Sequence, residues 1–249
     1  MREMELALPA NACSGHFPRR PIVPGALQLV LIEEALAVAG CGEGLTVATL
    51  GRVRFRTQVA PRAALVLRSE LTARRARFTL QADGGTASDG TLTMSRLPEV
   101  EAGDGEVDLL PGLPPPAACL PHAPPMRLVE GVVALLEGGG TCLGRVGGTC
   151  QLARGARVPA VALVELAAQA LAMVEAVSAR SVPAPVAGYL VGVSGTVLHA
   201  SSVPVAAPLL ATVRRTAWVP PLAQAEATIR CGAMVVFEGM LSAWLESGR

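Results

Sequence analysis

A histidine in one half of the chain and a glutamate in the other are the residues best suited to acid–base chemistry. His16 lies in residues 15–25 (GHFPRRPIVPG), and an imidazole titrates near neutral pH, as a general base should. Glu165 lies in a stretch of mostly apolar residues. Burial there should raise the pKa of its carboxyl group and keep a proton available for transfer to a substrate. The two residues can act together only if the fold brings them to one place.

The elements that would position these residues repeat between the two halves. In each half a proline that can open a helix, Pro24 or Pro159, precedes a long apolar stretch, residues 25–39 or 160–179, which predicts a buried helix. Alternating, β-branched segments then predict strands at residues 46–58, 64–73 and 77–93, and again at 187–200, 208–216 and 225–246. The repeat predicts an α+β fold with one sheet around each helix and the two units paired as an internal pseudo-dimer.

The boundary between the units is predicted from composition. Residues 97–117 are acidic and rich in glycine and proline, which is typical of a linker. This places the first unit at residues 1–96 and the second at residues 118–249.

Composition excludes several classes of partner. The net charge of the 249-residue chain is +1, so there is no bulk electrostatic attraction to nucleic acid or membranes. Its six cysteines show neither a CxxC pair nor a zinc spacing, which predicts reduced thiols in the cytoplasm and no metal. The longest apolar stretch is interrupted by Glu165, Gln169 and Glu175, so we expect no membrane insertion.

Four segments resemble those of a known family. Residues 15–25 match all seven fixed positions of GHFPxxPxxPG, the signature of the 3-hydroxyacyl-[acyl-carrier-protein] dehydratases, which have the hot-dog fold. Residues 52–56 (RVRFR) are similar to the basic strand of that family. Residues 120–129 (LPHAPPMRLV) and 165–169 (ELAAQ) resemble its LPHxxPxxLV and ExxAQ segments. The resemblance implies a double hot-dog in one chain.

Each half lacks one catalytic residue of the family, which places its acid 14 positions after its histidine. Position 30 holds Val30 instead of an acid, and position 151 holds Gln151 instead of a histidine. Family homodimers build each site from the histidine of one subunit and the acid of the other. The resemblance therefore implies one composite site, His16 with Glu165. The chain resembles a fusion of the two paired dehydratase subunits of aryl-polyene pathways.

The resemblance also implies the reaction and its supporting groups. It implies dehydration of 3-hydroxyacyl groups to trans-2-enoyl groups in fatty-acid-like or polyene synthesis, with the substrate on the phosphopantetheine of an acyl carrier protein and no other cofactor. Gln169, four residues after Glu165, can hold its carboxyl group by a hydrogen bond. Gly25, after Pro24, matches the family's backbone donor to the thioester carbonyl. Ala160 is its counterpart in the second half, and the sequence leaves open which of the two faces the substrate.

Arginines near the signature are candidates for carrier-protein docking. Arg52, Arg54 and Arg56 alternate along one strand face, and Arg19 and Arg20 lie inside the signature. Guanidinium groups suit the phosphate of the carrier arm and an acidic carrier helix. The alternative is that the strand arginines only form a solvated face.

Other residues and functions stay open at this stage. His122 is expected to be structural, because its segment does no chemistry in the family. Glu34, one turn after Val30, is an alternative as a displaced acid, and Cys13 lacks a base that would make it a nucleophile. The rival functions are an acyl-thioester hydrolase and a non-catalytic partner that binds acyl groups or the carrier. Chain length, carrier protein or coenzyme A as the carrier, and further homo-oligomers or a synthase complex also stay open.

Overall fold

The computed structural model describes residues 1–41, 44–103, 107–178 and 188–245. In the first half it contains β1 (Arg2–Leu6), α1 (Gly25–Leu36), β2 (Thr46–Phe55), β3 (Leu65–Thr72), β4 (Arg75–Ala82) and β5 (Gly85–Ser95). In the second half it contains α2 (Pro116–Cys119), β6 (Val129–Leu136), β7 (Gly139–Gly144), β8 (Arg157–Pro159), α3 (Val164–Ser178), β9 (Gly188–Leu198), β10 (Ser202–Pro204), β11 (Leu209–Val219), β12 (Leu222–Cys231) and β13 (Met234–Leu245).

The two halves share one antiparallel sheet of eleven strands, in the order β1-β3-β4-β5-β2-β9-β13-β12-β11-β7-β6. The halves meet where β2 pairs with β9, with Leu50 opposite Thr196 and Val53 opposite Val193. Strands β8 and β10 form a separate two-stranded sheet. The predicted double hot-dog is confirmed, and its two sheets are joined edge to edge into a single sheet.

The central helices are buried because they are apolar on almost every side. Helix α1 begins directly after Pro24 and ends in a π-helical turn at Ala37–Cys41. Helix α3 is preceded by a 3₁₀ turn at Ala160–Leu163, so the predicted second helix is regular only from Val164 onward. Helix α1 packs against this 3₁₀ turn, and α3 packs against β7 and β11. The N-termini of both helices therefore lie at the junction of the two units.

Two segments predicted as single strands are hairpins. Residues 77–93 divide into β4 and β5 at a turn where Asp83 and Gly84 both have positive φ, the conformation that an Asp-Gly pair favours in tight hairpins. Residues 225–246 likewise divide into β12 and β13, with Gly232 at positive φ in the turn. The alternation of apolar residues continues through the second turn, so periodicity alone does not reveal it. At the first turn the alternation is interrupted at residues 83–86, and the prediction missed the turn signal of Asp83 and Gly84. Strands β1, β6, β7, β8 and β10 lie outside the predicted segments.

The predicted linker lies along the second unit. The Leu110 amide donates to the Val132 carbonyl (2.7 Å), and the Arg157 guanidinium donates to the Val100 carbonyl (2.8 Å) and the Ser202 hydroxyl (3.0 Å). These contacts attach both ends of the segment to β6, β8 and β10. The described part of the linker is therefore a packed strap, and the exact domain boundaries stay a prediction.

One helical segment among the described residues, Ala160–Ser178, is long and apolar enough to cross a membrane. Of its most apolar window, 72% is buried inside the fold. This burial is typical of a core helix, and the absence of membrane insertion stays a prediction.

Candidate active site

His16 lies in the long connection between β1 and α1 and is buried. Its Nδ1 lies 2.8 Å from the Ile22 carbonyl oxygen, which can only accept a hydrogen bond. Nδ1 of the neutral ring therefore carries the hydrogen, and the lone pair is on Nε2. Burial lowers the pKa of His16, although the Glu165 carboxylate acts in the opposite direction. The ring is thus held in the neutral form that a general base requires.

Gly15 brings the His16 connection against the opening segment of the second unit. The Ala123 amide donates to the Gly15 carbonyl at 2.8 Å. Gly15 has φ +72°, and a Cβ at this position would lie 2.1 Å from the Ala123 carbonyl oxygen. Only glycine allows so close an approach at this φ.

Glu165 lies in the first turn of α3 and is also buried. Gln169 Nε2 donates to Glu165 Oε1 at 2.9 Å, the contact expected from the i, i+4 spacing. Gln169 is itself held by backbone, because Nε2 also donates to the Met126 carbonyl (2.8 Å) and Oε1 accepts from the Leu128 amide (2.9 Å). The position of the carboxylate is therefore coupled to the segment that follows His122.

His122, which was expected to be structural, lies in the same cluster. Its Nε2 is 3.3 Å from Glu165 Oε1, within ion-pair distance but not aligned as a hydrogen bond. Its ring centroid is 5.2 Å from that of His16. The ring is buried, and neither nitrogen makes an aligned hydrogen bond within the described part of the chain. No local spacing could have revealed this position, because it depends on the contact between Gly15 and Ala123.

The charge state of Glu165 differs from the one expected from sequence. Burial by itself would raise the pKa of its carboxyl group, but the contact with His122, the electrostatic interaction with the two imidazoles and the hydrogen bond from Gln169 together lower it. The prediction of a raised pKa was wrong, because it considered only the apolar neighbours on the helix. The two imidazoles come from loops that the fold brings to the carboxylate.

One cavity joins these side chains. Donor or acceptor atoms of His16, His122 and Glu165 all lie within 4.8 Å of one another. The cavity has a volume of about 300 Å³, and its wall is mainly apolar and aromatic. Its other lining residues include Phe17, Ile22, Val23, Phe55, Leu171, Tyr189, Leu190 and Trp244. Gln28 of α1, which the sequence analysis did not single out, lines it as well. The arrangement can place two proton-transferring groups from different halves around one small substrate.

The same three side chains are the candidate metal cluster among the described residues. Ligands of one tetrahedral zinc ion lie only about 3.4 Å apart, given zinc–nitrogen bonds of about 2.1 Å. Glu165 Oε1 is already in contact with Gln169 and His122. We therefore assign no metal ligands here, and the prediction of no metal stays a prediction.

The two candidate backbone donors differ in availability. The Ala160 amide donates to the Ser201 carbonyl at 2.9 Å, so it is not free to bind a substrate oxygen. Gly25 lines the cavity, and its amide makes no hydrogen bond within the described residues. A Cβ on Gly25 would lie 2.8 Å from the Phe55 ring, which explains the glycine by packing as well. Of the two candidate donors, the Gly25 amide is therefore the one available to bind a substrate oxygen. Pro24 directly precedes it as the N-cap of α1.

Models of two dehydratase families match the chain, one in each half. Residues 2–91 match the model described as ApeI dehydratase, and residues 114–246, more than half of the chain, match the model described as ApeP dehydratase. The chain belongs to the ApeI- and ApeP-type dehydratases. The predicted resemblance to a fused pair of dehydratase subunits is confirmed.

Proteins outside these two models are similar to part of the chain in sequence or to its fold. The 3-hydroxyacyl-[acyl-carrier-protein] dehydratase FabZ of Streptococcus mutans is 35% identical over 97 residues, which cover 33% of this chain and 66% of FabZ. The chain spans only 45% to 66% of the length of the first curated relatives that it matches. The dehydratase domain of PpsC from Mycobacterium tuberculosis is similar with a TM-score of 0.67 at 13% identity, over 98% of this chain and 92% of that domain. For the dehydratase domain of RzxB from Pseudomonas fluorescens the TM-score is 0.64 at 16% identity, over 89% and 85%. The two structural matches show a shared fold.

In this ApeI- and ApeP-type dehydratase the other acid and histidine positions of the family are occupied by Val30 and Gln151, whose surroundings we call the second junction. These two residues cannot form an acid–base pair. Val30 is fully buried, and Gln151 donates to the carbonyls of Ala12 (3.3 Å) and Ser14 (3.1 Å). Glu34, the alternative displaced acid, forms an ion pair with Arg154 and does not line the cavity of His16. Glu34 lines a pocket at the second junction together with Gln151, and its alternative role as a displaced acid stays a prediction. Cys13 does not line the cavity either, and burial raises the pKa of its thiol.

The candidate docking arginines of the dehydratase are not equivalent. Arg56 lines the cavity, but its guanidinium donates to both carboxylate oxygens of Asp89 (2.8 and 3.1 Å). Arg52 and Arg54 lie on β2 opposite Ser194 and Gly192 of β9. Arg19 and Arg20 are exposed three and four residues after His16, without an ion pair among the described residues. Their role in docking stays a prediction.

Replacing Gly15 with Ala should destabilise the dehydratase and separate His16 from His122. Strained backbone of this kind costs about 1–3 kcal/mol, and the clash with the Ala123 carbonyl adds to it. Urea unfolding measures the loss. Gly84→Ala is the matched control, because Gly84 has φ +83° but nothing within 4 Å of a Cβ. Equal losses of unfolding free energy in the two variants would show that the approach to Ala123 is not a constraint.

Proposed function

We propose that the chain dehydrates 3-hydroxyacyl groups on an acyl carrier protein to trans-2-enoyl groups, at one composite site of His16 and Glu165. The observation that carries the proposal is the position of these two side chains within 4.8 Å of each other, on one cavity, from opposite halves of a dehydratase-family chain. Fatty-acid-like or polyene synthesis in the cytoplasm is the proposed setting.

The proposed base is His16. With Nδ1 donating to Ile22, the lone pair on Nε2 can accept the proton from C2 of the acyl chain. The C2–H electron pair becomes the C2=C3 bond, and the C3–O bond breaks with its electrons moving to oxygen. The proposed acid is the carboxyl group of Glu165, which donates a proton to the departing hydroxyl group to form water. The Gly25 amide is the proposed donor to the negative charge that develops on the thioester carbonyl.

The reaction balances without an added cofactor. One proton is taken up and one is delivered, and no atom changes its oxidation state in a way that needs an electron acceptor. We therefore propose that the phosphopantetheine arm of the carrier protein is the only prosthetic group involved, and that activity survives treatment with a chelator. Further assembly into homo-oligomers or a synthase complex is compatible with this site.

A specific observation also favours a second candidate, hydrolysis of the acyl thioester. The lowered pKa of Glu165 describes a carboxylate, and a carboxylate can activate water for attack on a thioester. Hydrolysis would release a free thiol, whereas dehydration would leave the thioester intact. A neutral histidine placed across the cavity favours dehydration.

Removing either proposed group should abolish most of the dehydration. His16→Ala and Glu165→Gln should each lower the rate about 10²–10⁴-fold, because each removes one positioned proton-transfer group. Mass spectrometry of 3-hydroxyacyl carrier protein follows the loss of water, and a thiol reagent detects hydrolysis in the same samples.

The matched control is His199→Ala. His199 forms a histidine–glutamate contact with Glu238 (3.0 Å), but this contact is exposed and lies outside the cavity. We expect wild-type rates in this variant. Full activity in either His16→Ala or Glu165→Gln would contradict the composite site, and thiol release by the wild type would favour the hydrolase.

Carrier docking should depend on the arginines beside the signature. Reversing Arg19 and Arg20 together to Glu should raise KM for the acyl carrier protein about tenfold and leave kcat nearly unchanged, because surface charges act on encounter with the partner. The effect should be absent with an acyl-pantetheine substrate.

Arg75→Glu combined with Arg77→Glu supplies the same change of charge on β4, away from the cavity. If this control raises KM equally, only net charge matters. If neither double variant changes KM, Arg19 and Arg20 do not dock the carrier.

A further inference from the structure

His122 is a buried polar group of the cavity, next to Glu165, to which the proposed mechanism gives no role. It is 8% exposed, lines the cavity, and makes no aligned hydrogen bond through either ring nitrogen within the described residues. Leaving a buried donor or acceptor unsatisfied costs about 1–3 kcal/mol for each group. A residue in this environment is typical of a functional position.

The segment that follows His122 is held by hydrogen bonds to both units. The residue after it, Ala123, donates its amide to Gly15 of the first unit, and the Ala123 carbonyl accepts from the amides of Met126 and Arg127. Farther along the segment, Gln169 binds the Met126 carbonyl and the Leu128 amide. The backbone that carries the ring is therefore held by contacts to both units.

The proposed acid has a difficulty that His122 resolves. A carboxylate cannot donate a proton, and Glu165 has a lowered pKa in this cavity. Among the described residues, the side chains of His16 and His122 are the imidazoles near Glu165 that can hold a proton. The His16 ring is the proposed base and must be neutral, whereas the His122 ring contacts Oε1 at 3.3 Å.

We propose that His122 and Glu165 hold one proton between them, and that this pair is the acid of the proposed dehydration. The inference rests on the proposed function and deepens it. As the C3–O bond breaks, its electron pair takes a proton from Glu165, and Glu165 takes the proton of the His122 imidazolium. The pair loses one proton and His16 gains one, and return of that proton through solvent restores the resting state. His122 acts through Glu165 and is thus a positioning and proton-holding residue.

Several other titratable or charged groups face the pair. They are His16 from the first connection, Tyr189 from β9, Arg56 after β2, and Cys150, whose thiol interacts electrostatically with Glu165. Burial also raises the pKa of the Cys150 thiol to about 11, so Cys150 is neutral over the working range. Any test must therefore separate the effect of His122 from that of His16.

The first test is the pH profile of His122→Gln, whose amide can still donate to Glu165 but cannot give up a proton. Without the imidazole, burial acts on Glu165 with less opposition, so its pKa should rise. A group with a raised pKa is protonated below that value, so the variant should regain activity as pH falls. We expect kcat to be about 10²-fold below wild type at neutral pH and to recover partly in acid. A loss of equal size at every pH would overturn the proposal.

The second test needs no substrate. Carbon-13 NMR of the Glu165 carboxyl group follows its titration in the wild type, in His122→Gln and in His122→Asn, the last in case the Gln variant folds poorly. The carboxyl should titrate at higher pH in both variants. His199→Gln is the matched control and should leave it unchanged. An unchanged Glu165 titration in folded His122 variants would overturn the shared proton.

The two tests distinguish failure of this inference from failure of the proposed function. A wild type that does not dehydrate 3-hydroxyacyl carrier protein overturns the proposed function, while the carboxyl titration still decides whether the pair exists. An active wild type with unaltered titration and pH profile in the His122 variants overturns only the role of His122.

Discussion

The close backbone contact between Gly15 and Ala123 is the constraint on which the shared cavity depends. As a single hydrogen bond it contributes only about 0.5–1.5 kcal/mol. Its effect on geometry is larger, because it fixes the segment before His16 against the segment after His122. A side chain at position 15 would occupy the space of the Ala123 carbonyl. The signature thus requires glycine at position 15 because of a contact with the other half of the chain.

A buried cluster of two imidazoles and a carboxylate is stable only if its charges compensate one another. Opposite unit charges about 4 Å apart attract by about 4 kcal/mol at an effective dielectric constant near 20. Attraction of this size is enough to offset much of the cost of burying a carboxylate, which is why the pKa of Glu165 is lowered despite its burial. Gln169 adds to this by tying Glu165 to the backbone of residues 126–128. Helix α3 and the opening segment of its own unit are therefore held in one arrangement.

The parts of the site that depend on local spacing could be predicted from sequence. The signature identifies His16, and the 14-residue offset and the i, i+4 spacing identify Glu165 and Gln169 as a group. His122 and the charge state of Glu165 could not be predicted, because both result from contacts between distant segments. The strands β12 and β13 were merged for a different reason, since alternation of apolar residues passes unbroken through a tight turn. The availability of the Gly25 amide rather than that of Ala160 depends on Ser201, which no pattern connects to either helix.

The second junction shows how one fold can keep an acid–base pair at one junction and replace it at the equivalent place. Where the first junction has polar atoms without aligned partners, the second has Gln151 bonded to two carbonyls of the first unit, and Glu34 paired with Arg154. These contacts join the two halves and supply partners for the side chains of Gln151 and Glu34. In a homodimer the same sequence serves both junctions, so a change that stabilises one also alters the other. A fused chain removes that constraint, because each junction has its own residues. One junction can then be selected for adhesion between the units while the other keeps the costly unpaired groups that proton transfer requires.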